Sequence, residues 1–72
     1  MRYEIKAVAT PEMSAPETLR SDVLAQTDDL GEAKRLAGEY SWHPFGAAIV
    51  DTEARRIDWG NCITDFAGVV TY

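Results

Sequence analysis

The chain has 72 residues, which is room for one domain and not for two independent cores. Hydrophobic residues make up 46% and charged residues 26%, the balance of a globular protein and not of a disordered one. Twelve acidic against seven basic side chains leave a net charge of −5, which argues against a domain built to grip a polyphosphate.

Residues 2–10 alternate, with Tyr3, Ile5, Ala7 and Ala9 on one side and Glu4 and Lys6 on the other, the period of a half-buried strand. The same alternation leaves no continuous apolar stretch of signal-peptide or membrane-spanning kind, so a soluble cytoplasmic protein is expected. Ten alanines and five arginines against two lysines fit GC-rich bacterial coding. Pro11 ends the strand because proline cannot donate to a ladder. Residues 11–18 hold two prolines and no periodicity, and read as an exposed loop.

Residues 19–26 alternate again, predicting a second strand with Leu19, Val23 and Ala25 on one face. Leu24 falls on the polar side, and a short helix from Thr18 competes with the strand. Thr27-Asp28-Asp29 opens a helix, with Thr27 placed to cap it and the two aspartates in the first turn, where the macrodipole favours negative charge. Leu30, Ala33, Leu36, Ala37 and Tyr40 then share one face, while Glu32, Arg35 and Glu39 are spaced to pair on the other. Gly31 and Gly38 each cost about 1 kcal/mol against alanine, so packing must hold this helix.

Pro44 biases His43 away from helical angles and ends the helix at Glu39–Ser41. Residues 45–51 are apolar on both faces and predict an inner strand; 52–55 read as a turn and 56–59 as its returning partner. That turn lacks Gly and Asn, so a left-handed position in it falls on Ala54 or Arg55. Gly60-Asn61 breaks the strand, and 68–72 have the composition of a short last edge.

These elements predict a single α+β domain over 1–72: a mostly antiparallel β-sheet in the order β-β-α-β-β, a possible short fifth strand, and one helix packed on one face. The helix is expected over Ile5, Val23, Ile49 and Trp59 (or Ile57). The other face, with Glu4, Lys6, Arg20, Asp22, Arg56 and Asp58, is expected to be wet.

Tyr40, Trp42, His43 and Phe45 put four rings into six residues, the most unusual stretch in the chain. They read either as a protein-binding patch, since Trp and Tyr dominate interface hot spots, or as a plug closing the open end of a small core. The alternative is a small-molecule or thiol-dependent site lined by Trp42, His43, Phe45 and Trp59. Cys62 and His43, with Asp65 close in sequence, contain the parts of a thiol–base–carboxylate set, but no local signature of such enzymes surrounds Cys62. Two Cys or His residues are too few for a structural zinc site, and no calcium loop, phosphate loop or dinucleotide fingerprint occurs. Asp28, Asp29 and Glu32 are read as caps and solvated charge, and Arg55-Arg56 as turn solvation.

The functional expectation is therefore a small cytoplasmic, non-enzymatic binding or regulatory module without cofactor or metal. Its partner is another protein or a second copy joined through a sheet edge, with no nucleic acid and no membrane.

Overall fold

The computed structural model describes residues 1–10 and 15–71. The predicted loop positions 11–14, Pro11 among them, and Tyr72 lie outside these residues. Five strands form one antiparallel sheet: β1 Tyr3–Val8, β2 Leu19–Thr27, β3 Ala47–Asp51, β4 Arg56–Asp58 and β5 Ile63–Asp65. The helix α1, Leu30–Glu39, lies between β2 and β3 in the chain, and a single 3-10 turn, Pro16–Thr18, leads into β2. The spatial order is β2-β1-β3-β4-β5, so the first strand ends up inside the sheet, paired on both sides. The expected α+β architecture, with one helix on an antiparallel sheet, is what the chain adopts.

Register decides which side chains share a face. One row across the sheet runs Ala25, Ile5, Ile49, Asp58, Ile63, and the adjacent row runs Gln26, Glu4, Val50, Ile57, Thr64. Neighbouring rows point to opposite faces. The first row belongs to the helix side, where Tyr3, Ile5, Ala33 and Ile49 form a buried cluster with Ala25, Leu36, Ala37 and Tyr40 against it. The predicted apolar stripe of α1 thus packs as expected, except that Leu30 remains 44% exposed.

The second face departs from expectation. It carries its own buried cluster, Val8, Ala48, Val50, Ile57 and Trp59, with Leu19 and Cys62 packed beside it. Ile57 faces Val50 across the β3–β4 pair, which turns Arg56 and Asp58 to the helix side and Trp59 away from it. The wet face expected for Glu4 and Lys6 is therefore partly a second core. The cause is geometric: a single helix covers one face of the sheet and only the strands beneath it. It packs on β1, β2 and β3, and the apolar residues of β3 and β4 bury themselves on the opposite side.

Val23 also changes face. The pairing runs Ile5↔Ala25 and then Lys6↔Val23, so Leu24 is one residue too many and forms a bulge that puts Val23 opposite Lys6. A bulge explains why Leu24 breaks the alternation without ending the strand.

Two smaller expectations are corrected. The helix cap is Asp29, whose side chain accepts from Gly31 N at 2.8 Å. Thr27 remains in β2 opposite Tyr3, its hydroxyl accepting from Asp29 N at 3.2 Å, and Asp28 Oδ1 accepts from Arg2 N at 2.8 Å. The fifth strand is Ile63–Asp65, and the predicted last edge, of which residues 68–71 are described, makes a bridge to it and not a strand of its own. The later segment folds back on it through Asp65 N to Val69 O and Thr71 N to Ile63 O, touching at one bridge, Thr64↔Val70.

The β3–β4 turn behaves as its composition requires. Arg55 takes the left-handed conformation, φ 57°. Asp51 holds the turn by accepting from Glu53 N and Ala54 N, and it also receives a bidentate pair from the Arg2 guanidinium, both contacts at 3.0 Å. Those donors, Arg2 first, lower the Asp51 carboxyl below its ordinary range.

Candidate functional site

The four rings singled out in the sequence follow directly from the helix end. After Glu39 the chain makes successive tight turns: Ser41 N donates to Gly38 O, His43 N to Tyr40 O, and Gly46 N to His43 O. Val8 N then donates to Gly46 O, which ties this corner to the end of β1. The turns split the rings between core and surface. Tyr40 is half-buried in the helix-side cluster, and its hydroxyl donates to the carbonyl of the bulged Leu24 at 3.4 Å. Trp42 points outward, 71% exposed, and lies flat on the His43 imidazole with ring centres 4.0 Å apart and planes 19° from parallel. Phe45 is 39% exposed. Trp42 and His43 thus stack at the surface just after the helix, with the part-exposed Phe45 two residues on, and Trp42 does not fill the end of the core.

Trp59 is elsewhere. It is 2% exposed in the cluster on the face away from the helix, and its indole N–H donates to Thr64 Oγ1 at 2.9 Å. Cys62 packs near it, half-buried, and lines a shallow groove with Asp58, Asn61 and Ile63. Neither Trp42 nor His43 lines that groove.

Two larger grooves have no counterpart in the sequence pattern. One, of about 390 Å³, crosses the face away from the helix over Val50 and Ile57, between Leu19 and Phe66, with Glu4, Lys6 and Arg20 at its rim. The other, of about 340 Å³, lies where β4 and β5 extend beyond the helix, between Leu30 and Lys34 on one side and Ile49, Ile63 and Arg56 on the other. Both carry charges of both signs. The second arises where one helix leaves β4 and β5 uncovered, which single-strand periodicity does not reveal. Among the described residues, no three His, Cys, Asp or Glu side chains are grouped to hold a metal ion. No described helix is long and apolar enough to cross a membrane.

The sheet has two edges of different character. The β5 edge is met by the returning 68–71 segment through the two backbone bonds given above. The β2 edge is nine residues long and no strand among the described residues pairs with its outer side. Its residues Arg20–Val23 are all exposed.

Compared with known proteins, the chain matches no family model, no curated sequence and no solved structure.

Proposed function

We propose that the chain is a small non-enzymatic protein-binding module of the bacterial cytoplasm, with its contact surface centred on Trp42. The observation that carries this reading is the contrast between the two tryptophans. Trp59 is withdrawn from water, whereas Trp42 keeps 71% of its surface exposed, stacked on His43 and three residues before the part-exposed Phe45. Leaving an indole in water forgoes the burial that a small domain needs, about 1.5–3 kcal/mol for a large apolar side chain. Covering it against a partner recovers that free energy, and Trp is the residue most enriched among interface hot spots. Tyr40 anchors the corner to the core, so the patch is held in place before any partner arrives.

The test is affinity capture from lysate of the source organism with the whole chain and with Trp42→Ala as bait. Loss of specific partners from the variant, with its unfolding midpoint unchanged, is the expected result. An identical set of captured proteins would remove Trp42 from the function.

A second reading, self-association, is favoured by a separate observation. The β2 edge offers nine residues with no strand on the outer side among the described residues, and an open edge invites pairing with another strand.

A further inference from the structure

The second reading can be taken to a defined partner and register, and the inference rests on it. Edges that natural proteins leave open are usually blunted by charge, and β2 carries two charges, Arg20 and Asp22. Neither has an ion pair or side-chain hydrogen bond among the described residues. They also sit where the sheet is least regular. The pairing of β1 with β2 passes from Lys6↔Val23 to Val8↔Leu19, two residues on one strand against four on the other. The surplus falls on Arg20–Asp22, which are exposed and displaced from regular pairing with β1.

Charges on an edge repel most incoming strands, but the pattern here has a complement in itself. The run Leu19-Arg20-Ser21-Asp22-Val23 is antisymmetric in charge and symmetric in apolarity about Ser21. An antiparallel second copy centred on Ser21 sets Arg20 opposite the partner copy's aspartate and Asp22 opposite its arginine. The same register sets Leu19 opposite valine and Val23 opposite leucine. Opposite charges directly across an antiparallel pair attract, and like charges there repel. Other registers lack this match: one centred on Val23 faces Arg20 with Gln26 and Asp22 with Leu24. The edge therefore rejects arbitrary strands and selects its own copy.

We infer that two copies join through β2 in an antiparallel pairing centred on Ser21, held in register by two reciprocal Arg20–Asp22 pairs. The sheet continues across the junction as ten strands, with both helices on one face.

The experiment is sedimentation velocity over a concentration series on the whole chain, Arg20→Asp, Asp22→Arg, and an equimolar mixture of the two variants. Both positions are exposed, and thermal unfolding checks that each variant folds. The wild type is expected to dimerise. Each single variant sets like charges opposite each other twice and is expected to weaken the dimer by about tenfold or more. The mixture restores both attractive pairs and is expected to regain dimer at the wild-type concentration. A wild type that stays monomeric throughout overturns self-association itself. A wild-type dimer that the single variants leave intact, or that the mixture does not restore, overturns the Ser21-centred register while leaving self-association standing.

Discussion

Trp59 donates its indole N–H to Thr64 Oγ1 at 2.9 Å, and Thr64 is fully buried. Neither polar group has water to fall back on, so breaking the bond from one side strands the other group, at a cost of about 1–3 kcal/mol. Trp59→Phe and Thr64→Val should each destabilise the fold by an amount in that range, read from urea denaturation. The double variant removes both partners and should cost less than the sum, with a coupling of about 0.5–3 kcal/mol. Additive losses would mean that the bond contributes nothing and that only volume matters. Trp42→Ala should stay within about 0.5 kcal/mol of wild type, because exposed positions away from caps and cores rarely do more. The sequence shows both indoles but not this division. Trp42 was legible as a surface candidate because it follows a helix end and precedes Pro44. Trp59 read as one residue of an alternating strand, and alternation says that neighbours point apart, not which way either points.

The helix shows how local rules and packing share control of an element. Its core stripe, its Glu32–Arg35–Glu39 pairing and its end were all legible from spacing, and Arg35 does bridge to both glutamates. Its start was misread by two residues because Thr27 satisfies the capping rule in isolation yet is held in β2 opposite Tyr3. Long-range pairing with β1 outweighed a cap worth about 1 kcal/mol, and Asp29 took the role. The bulge at Leu24 and the second cluster were hidden for the same reason: both are set by register between strands, which no single strand carries. The two helical glycines give a direct check on packing. A Cβ added at Gly38 meets nothing within 4 Å, so Gly38→Ala should stabilise the protein by about 0.4–1 kcal/mol by restricting the unfolded chain. At Gly31 the added Cβ approaches the capping Asp29 Oδ1 at 3.4 Å, at the limit of ordinary contact, so Gly31→Ala should gain less. The urea midpoints of the two variants test the order. A Gly38→Ala midpoint at or below wild type would show that a neighbour occupies the space beside it.

At the scale of the whole molecule, 72 residues support two buried clusters, one on each side of a single sheet. Neither is large, and a domain of this size draws on the order of 3–5 kcal/mol from its core. The strands that carry them are shared. β3 sends Ile49 to the helix side and Ala48 and Val50 to the other, and β1 sends Tyr3 and Ile5 one way and Val8 the other. Loss of either strand from the sheet removes apolar contacts on both faces at once, so the clusters should unfold as one unit. Each face has its own reporter. In a Trp42→Phe background the remaining indole, Trp59, reports the cluster away from the helix, while far-ultraviolet dichroism reports α1 on the opposite face. The two urea transitions should coincide in midpoint and slope. The measurement belongs in an Arg20→Asp background as well, because dimerisation through β2 would make the wild-type midpoint rise with concentration and confuse cooperativity with assembly. If the fluorescence and dichroism curves separate in the Arg20→Asp background too, the two faces are independent units, and the shared strands do not couple them.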